Sequence, residues 1–331
     1  MRATLMASAA AVLLVAGAVL AGLIGARLTA VPTPSPIRSA APTSTPAPAF
    51  ATPIDTADLV FQQPLSAGCA TAEAVYVFSD GGGIGRFDGQ RWTLIDPTLR
   101  TIGAAACSRD RAVAVGLAGR AITIDDGPRS VRIDTVTFED LLGIGTGPDA
   151  TVLAVGTRGT VLRTDAAWQP YARGIEDDLQ AVAVAGPTTA WAVGPRGVTY
   201  RLDGTGWHLV PSGVTTGLRA VALAGEDVVA AGDGGVVLSL VNGAWKRVDV
   251  GTNATLRSIV RIGRTFVAIV GDGGTVIRLS ETGTTRLDLG TKCDLRAVFA
   301  RASEYWIVGS SGGRAGVWRV AGDKLEKWGA C

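Results

Sequence analysis

Histidine is nearly absent from the sequence, since His208 is the single one among 331 residues. A zinc site built on histidines, a Ser–His–Asp triad and a pair of haem ligands each need histidines that the chain lacks. The four cysteines form no Cys-x-x-Cys motif, which is the usual signature of a redox or metal-binding pair. We therefore expect no metal, no cofactor and no histidine-based catalysis.

Charged residues are also few, at 18% of the chain, and the two signs nearly cancel. Three of the 31 basic residues, Arg2, Arg27 and Arg38, lie in an N-terminal segment that holds no acidic residue. The remainder has 28 basic and 29 acidic residues, so its net charge is −1. Because nucleic-acid binding draws on a basic surface, we expect no nucleic-acid partner.

The N-terminal segment contains an uncharged apolar run of 24 residues, Ala3–Ala26. As a helix this run would be ~36 Å long, enough to cross a hydrocarbon core of about 30 Å. Two alternatives stay open for residues 1–30: a signal-anchor helix that tethers the chain to the membrane, or a signal peptide cleaved after Leu28-Thr29-Ala30. The first places the rest of the chain on the membrane, facing the periplasm or exterior, and the second predicts secretion.

Residues 31–53 are dominated by Pro, Ser, Thr and Ala. A segment of this composition cannot bury an apolar face and favours an extended, polyproline-like chain. We interpret residues 31–53 as a linker and residues 54–331 as a folded domain.

One phrase recurs throughout residues 54–331. It begins Leu-Arg-Ala-Val-Ala, passes through Val-Gly-x-x-Gly and ends near a Trp, as in Leu179 to Trp207 and in Leu218 to Trp245. The first turn residue recurs at intervals of 37 to 40 residues, at Ser79, Gly116, Gly156, Gly194, Gly232, Gly271 and Gly309. Seven copies of a unit of this length indicate a repeat architecture.

Each copy holds short runs rich in Val, Ile, Leu and Ala between Gly, Asp and Pro, a composition typical of strands and turns. In Val-Gly-x-x-Gly we expect a tight hairpin in which glycine accepts a positive φ. Radial stacking buries both faces of such sheets, so the sequence predicts an all-β fold, a seven-bladed β-propeller. Five tryptophans, expected at the start of the last strand of their blades, are predicted to pack between blades: Trp92, Trp168, Trp207, Trp245 and Trp328.

The motifs that follow the turns carry a resemblance. RFDGQRW (Arg86 to Trp92), RTDAAW (Arg163 to Trp168) and RLDGTGW (Arg201 to Trp207) resemble the BNR or degenerate Asp-box repeat. The whole pattern, Leu-Arg-Ala-Val followed by Trp-Ala-Val-Gly-x-x-Gly, resembles the exported seven-bladed propellers of the photosystem II stability and assembly factor family. The resemblance implies a non-catalytic, protein-binding propeller that acts as a scaffold or assembly factor for a membrane or envelope complex.

Arginine follows the leading Leu of the first strand in the last three copies, at Arg219, Arg257 and Arg296. Equal positions in adjacent blades place these side chains on one rim of the central channel, and the earlier copies have Ser66, Ile102, Leu142 and Gln180 there. Because the guanidinium fork suits carboxylates, we predict a binding face for a protein or acidic peptide. The alternative is that the arginines pair with nearby acids such as Asp227 and Asp294 and only solubilise the rim.

Asp-box repeats also occur in sialidases, whose chemistry needs a tyrosine with a Glu partner. A sialidase-like, carbohydrate-active hydrolase or a glycan-binding surface module is therefore the alternative function. The chain has four tyrosines, Tyr76, Tyr171, Tyr200 and Tyr305. Packing accounts for Tyr200 and Tyr305, which lie in repeat-like strands, and we favour a non-enzymatic function.

Two further patterns have structural interpretations. Gly-Asp-Gly-Gly at residues 232–235 and 271–274 lacks the alternating acids of calcium loops, so we expect hairpin turns there. Four arginines that recur on the third strand are predicted to pair between blades or at the surface: Arg86, Arg163, Arg201 and Arg278.

The cysteines fall into two pairs, each separated by 38 residues, which is one repeat. In an oxidising compartment we predict the disulfides Cys69–Cys107 and Cys293–Cys331. The second would hold the C-terminal residues where the ring closes. The sequence is compatible with all three pairings of four cysteines, and also with reduced thiols.

Overall fold

The computed structural model describes residues 60–95, 102–126, 130–164, 167–172, 174–224 and 227–331, together with the backbone of residues 45–46. The predicted N-terminal helix and nearly all of the predicted linker lie outside these residues. Within the described ranges, no helix combines the length and the hydropathy needed to cross a membrane.

Seven antiparallel sheets follow one another along the described chain, and each takes its four main strands in sequence order. A short strand, β1 (Thr45–Pro46), adds to the outer edge of the second sheet by pairing with β9. Blade 1 consists of β2 (Leu65–Ala70), β3 (Val75–Ser79), β4 (Ile84–Phe87) and β5 (Trp92–Ile95). Blade 2 consists of β6 (Ile102–Cys107), β7 (Arg111–Gly116), β8 (Arg120–Asp125) and β9 (Ser130–Thr135). Blade 3 consists of β10 (Leu141–Thr146), β11 (Val152–Gly156), β12 (Val161–Thr164) and β13 (Trp168–Pro170).

The remaining four sheets repeat this plan. Blade 4 consists of β14 (Ala181–Gly186), β15 (Thr189–Val193), β16 (Thr199–Asp203) and β17 (Gly206–Leu209). Blade 5 consists of β18 (Leu218–Ala224), β19 (Asp227–Gly232), β20 (Val237–Val241) and β21 (Ala244–Val248). Blade 6 consists of β22 (Leu256–Ile262), β23 (Phe266–Gly271), β24 (Thr275–Ser280) and β25 (Gly283–Arg286). Blade 7 consists of β26 (Asp294–Arg301), β27 (Glu304–Ser311), β28 (Arg314–Ala321) and β29 (Lys324–Gly329).

The first strands of the blades form the inner wall of a ring. Each first strand lies beside the first strands of the two neighbouring blades, and β26 of blade 7 lies beside β2 of blade 1. The ring is thereby closed, and the predicted seven-bladed β-propeller is confirmed.

Apolar packing between the blades holds the ring together. The buried residues of the described chain form seven apolar clusters, one in each seam between two blades. Since a blade faces a seam on both sides, its second strand is buried on both faces, as in β3 and β11. This double burial explains why these strands read as continuous apolar runs instead of alternating ones.

Aromatic rings fill the seam where blade 7 meets blade 1. Trp306 is fully buried and stacks on Trp328 with 5.4 Å between ring centroids, while Trp92 meets both edge-on. The predicted packing role of these tryptophans is confirmed, but the predicted place of Trp328 is wrong. It pairs with Val317 near the end of β29, and Leu325 occupies the position that the tryptophans of other blades hold.

The turn between the second and third strands is a single 3₁₀ turn in five blades: Leu117–Gly119, Thr157–Gly159, Pro195–Gly197, Asp233–Gly235 and Asp272–Gly274. The two positions of each motif need glycine for different reasons. Gly235 has a φ of 68°, as predicted for the turn. The backbone of Gly232 is extended, with a φ of −169°, and its glycine is required because a Cβ would lie 2.0 Å from the carbonyl oxygen of Gly217.

Candidate functional site

The seven first strands line a central channel of about 480 Å³. Small and apolar side chains dominate its described wall. Arg219, Arg257 and Arg296 are the charged residues among the described lining residues, and they lie in three consecutive blades. We call these three side chains the arginine arc. The structure therefore brings the three predicted arginines together on one side of one channel.

A β-bulge positions the arginines. In six blades the pairing between the first and second strands skips one residue directly after the leading Leu or Ile. Arg219, Arg257 and Arg296 are the skipped residues of blades 5, 6 and 7. Because a bulge frees its extra residue from the ladder and changes the direction of its side chain, this position faces the channel.

The same register corrects one assignment in blade 2. Ile102 pairs with Gly116 as Leu218 pairs with Gly232, so Ile102 is the buried leading residue. The bulge residue of blade 2 is Gly103, which lines the channel. The position is therefore occupied by Ser66, Gly103, Leu142 and Gln180 in blades 1 to 4, and by arginine in blades 5 to 7.

Two of the arginines make side-on pairs with acids from the turn of their own blade. Arg219 Nε and Nη2 donate to Asp233 Oδ1 and Oδ2 at 2.5 and 3.3 Å. Arg257 Nε and Nη2 donate to the two carboxylate oxygens of Asp272, the second at 2.9 Å. The prediction that Asp227 is a partner is wrong, because Asp227 pairs with Ala224 at the opposite end of the strand.

Arg296 is paired less tightly. Its Nη2 lies 3.7 Å from Asp294 Oδ2, an ion pair beyond hydrogen-bond length. The other oxygen of Asp294 accepts a hydrogen bond of 3.2 Å from the backbone N–H of Gly273 in blade 6. Asp294 thus forms an ion pair with Arg296 and also accepts a hydrogen bond from the turn of blade 6.

The pairing leaves hydrogen-bond donors unused. A guanidinium has five N–H donors, and the side-on geometry of Arg219 and Arg257 engages only Nε and Nη2. Within the described part of the chain, no acceptor is bound by Nη1 of either residue. The arginine side chains of the arc are 25 to 39% exposed. The hydrogen bonds that Arg257 donates to Asp272, together with the charges of Asp272, Asp294 and Asp233, raise the pKa of Arg257 and keep it a cation.

The turn acids Asp233 and Asp272 are site residues that the sequence interpretation missed. They belong to the two Gly-Asp-Gly-Gly segments, which form turns as predicted. A signal was present, because an aspartate stands at this turn position in two of the three blades whose bulge residue is arginine. Among the described residues, no group of three or more His, Cys, Asp or Glu is placed to hold a metal ion.

Two of the four third-strand arginines, Arg278 and Arg163, bond to the next blade as predicted, and Arg201 is exposed at the surface. Arg278 of blade 6 donates from Nε and Nη2 to the hydroxyl of Tyr305 in blade 7, at 3.0 and 2.9 Å. Arg163 of blade 3 lies over the ring of Tyr171, 5.3 Å from its centroid. Arg86 is buried and pairs across the sheet with Tyr76.

The tyrosines are engaged away from the channel. Tyr76 donates to Asp126 of blade 2, and burial together with this hydrogen bond raises the pKa of Tyr76 to about 12. Tyr200 donates to Asp177 Oδ2 at 2.9 Å, and Tyr171 donates to the carbonyl oxygen of Pro187 at 2.7 Å. All four tyrosines lie in the described ranges, and none is among the residues that line the channel there, where sialidase chemistry would use one.

Both predicted disulfides are present. Cys69–Cys107 joins the first strands of blades 1 and 2, with 5.4 Å between the Cα atoms. Cys293–Cys331 joins the residue before β26 to a residue just after β29, with 6.1 Å between the Cα atoms. The first disulfide therefore links two blades, and the second closes blade 7 on itself.

These features define the class of protein: a disulfide-containing seven-bladed β-propeller with an arginine arc in its channel. No protein-family model matches the chain, and neither does any curated protein. Solved propellers do resemble it. YCF48 bound to a D1 peptide is 16% identical, with a TM-score of 0.53 over 66% of this chain and 78% of that one.

Two further structures are similar over most of their length. The WD40 β-propeller domain of Doa1 is 10% identical, with a TM-score of 0.67 over 80% of this chain and 94% of that one. The RRP9 WD40 repeats are 12% identical, with a TM-score of 0.64 over 74% and 87%. At these identities the similarity shows the fold, and it confirms at that level the resemblance predicted from the motifs.

Proposed function

We propose that this chain is an exported, non-catalytic propeller that binds a protein or an acidic peptide through the arginine arc. In this role it is a scaffold or assembly factor for a membrane or envelope complex. Residues 1–30 would tether it to the membrane if they are retained as an anchor, and would direct its secretion if they are cleaved.

The observation that carries this proposal is the set of unused donors on the arc. Three guanidiniums in consecutive blades point into one channel, and at least two present a free Nη1 edge after pairing with their own acids. A guanidinium held side-on by one carboxylate is already oriented, so less side-chain entropy is lost when a second carboxylate binds. Such charge-assisted hydrogen bonds are stronger than neutral ones.

Two other observations support the partner class and the compartment. The similar structure of YCF48 has a bound D1 peptide, which shows that a propeller of this general fold can hold a peptide. The two disulfides of this chain favour an oxidising, exported environment. The apolar run of residues 3–26 is consistent with export.

Crosslinked affinity capture from native membranes tests the proposal. The bait is the full chain, as wild type or with Arg219, Arg257 and Arg296 all changed to Ala. A matched control changes Lys246, Arg247 and Lys324 to Ala, which removes the same charge from exposed outer strands. We expect one membrane-complex subunit to be captured by the wild type and by the control, and to be lost with the arc variant.

Retention of the same subunit by the arc variant would contradict the proposed binding face. Equal loss with the outer-strand control would show that bulk charge, and not the arc, is responsible. A direct titration with a labelled acidic peptide separates these outcomes from indirect capture, because it contains no other protein.

A further inference from the structure

The side of the channel mouth opposite the arginine arc differs from it in chemistry, because it exposes apolar side chains. Blade 6 is the middle of the arc, and in a closed ring of seven blades the seam between blades 2 and 3 lies diametrically opposite. The leading residues of the first strands pair with the last residues of the second strands. The 3₁₀ turns and the segments that enter the first strands therefore all lie at the same mouth.

Large apolar side chains are exposed at that seam. Phe138, in the segment between β9 and β10, is 97% exposed, and Leu117, in the turn of blade 2, is 45% exposed. Leu142, the bulge residue of blade 3, lines the channel on the same side of the ring. Among the described residues, the other two large exposed apolar side chains, Leu209 and Leu325, lie singly on outer strands.

Hydrogen bonds hold the two exposed segments in place. The N–H of Val136 donates to the carbonyl oxygen of Gly119 at 2.8 Å. The N–H of Ala118 donates to Asp140 Oδ1, also at 2.8 Å. Phe138 is thus flanked on both sides by residues bonded to the turn that carries Leu117. Leaving a whole Phe side chain in water forgoes burial worth about 1.5–3 kcal/mol, and exposed apolar patches mark interaction surfaces.

The acids next to Phe138 are already engaged. Glu139 accepts hydrogen bonds from Arg158 Nε at 2.7 Å and from Thr157 Oγ1 at 3.1 Å, and the hydrogen bond from Arg158 lowers the pKa of Glu139. Asp140 accepts from the N–H of Ala118. Arg158 therefore offsets the charge of Glu139 next to Phe138.

We infer that the channel mouth recognises an acidic peptide segment that also carries a bulky apolar side chain. Its carboxylates bind the arginine arc, and its apolar side chain packs on the apolar seam, which we define as Leu117, Phe138 and Leu142. The inference rests on the proposed function and adds the second half of the ligand. A single ligand that spans the mouth can contact both regions, and the unused arginine donors select a negative charge at its other end.

Fluorescence anisotropy with synthetic peptides tests this inference on the full chain. Each labelled peptide has a pair of Asp residues and one Phe in a Gly-Ser background. The separation between them increases one residue at a time, which adds about 3.3 Å per step in an extended chain. A companion series has Ser in place of Phe. The proteins are the wild type, Phe138→Ala, the arc triple variant, and Leu209→Ala as a matched exposed apolar control.

We expect Phe138→Ala to weaken binding of the best Phe-containing peptide by about tenfold. Binding of the Ser-containing peptides should be unchanged. Leu209→Ala should change neither, and the arc triple variant should lose both. Thermal unfolding of Phe138→Ala should match the wild type, since the side chain is exposed.

Equal binding of the Phe-containing peptides by the wild type and Phe138→Ala, with arc-dependent binding intact, would overturn this inference and leave the proposed function standing. Failure of every peptide to bind the wild type would count against the proposed function itself. Sedimentation velocity provides the remaining check. If the wild type self-associates and Phe138→Ala does not, the occupant of the apolar seam is a second copy, and the inference is wrong.

Discussion

The two sides of the channel mouth have the same backbone and opposite chemistry. On both sides the first strand carries a bulge after its leading residue, and the first turn glycine packs against a carbonyl oxygen of the segment that precedes that strand. Blades 5 to 7 have arginine at the bulge, whereas blades 2 and 3 have Gly103 and Leu142. The repeat therefore determines the backbone, while the bulge residue differs from blade to blade.

The turn acids distinguish the two sides, whereas the acid before the leading Leu acts alike on both, since Asp294 also accepts a backbone N–H from the turn of the preceding blade. On the apolar side Asp140 and Asp178 accept hydrogen bonds of 2.8 Å from the backbone N–H groups of Ala118 and Arg158, in the turns of the preceding blades. On the arginine side Asp233 and Asp272 bind side chains of their own blades. We conclude that the first pair stabilises the contact between blades, while the second pair orients the arginines.

Replacing the close-packed glycine on each side is expected to have the largest effect and tests whether the scaffold is shared. A Cβ at Gly156 would lie 1.9 Å from the carbonyl oxygen of Asp140, and one at Gly232 would lie 2.0 Å from that of Gly217. Gly156→Ala and Gly232→Ala should each lower the free energy of unfolding by about 3 kcal/mol, measured by denaturant titration. Gly204→Ala, where no atom lies within 4 Å, is the control. A large difference between the two sides would break the comparison.

The features that could be predicted from the sequence are those that repeat. The spacing of the turn glycines gave the number of blades, the equal separation of the cysteines gave both disulfides, and the position after the leading Leu gave the arginine arc. Each of these depends on register that recurs every blade. For the same reason, two wrong predictions concern departures of single blades: Ile102 is the buried leading residue of blade 2, and Trp328 lies near the end of its strand.

Features that depend on contacts between distant residues could not be predicted. The pairing of Arg219 with Asp233 crosses 14 residues and depends on the bulge, which no local pattern marks. Phe138 lies in Val-Thr-Phe-Glu-Asp-Leu-Leu, a segment whose composition resembles a strand. Its exposure follows from the hydrogen bonds that hold this segment against the turn of blade 2, and these are visible only in three dimensions.

Within the arginine side, single substitutions should rank the members of the arc. Arg296 lies 3.7 Å from its acid, whereas Arg257 is held by two hydrogen bonds to Asp272. Arg296 is therefore the least neutralised. We expect Arg296→Ala to lower the affinity for an acidic peptide by about tenfold, and Arg257→Ala to lower it by about threefold. Fluorescence anisotropy measures both affinities. Arg247→Ala on an outer strand controls for net charge. The reverse order would show that preorganisation by the turn acid matters more than residual charge.

The smallest expected effects separate the roles of the acids on the two sides. Asp140→Ala removes the acceptor of the Ala118 N–H and should cost about 1 kcal/mol of unfolding free energy, with no change in peptide affinity.

Asp272→Ala removes one partner of a partly exposed ion pair, so its cost should stay below about 1 kcal/mol. It also leaves the charge of Arg257 uncompensated, so the affinity for an acidic peptide should rise, most clearly at low salt where screening is weak. Denaturant titration and anisotropy at two salt concentrations measure both quantities, with Asp323→Ala as the exposed control. If Asp272→Ala instead lowered the affinity for the peptide, the turn acid would be required to orient the guanidinium. The acids of the arginine side would then be as necessary for its geometry as Asp140 is for the apolar side.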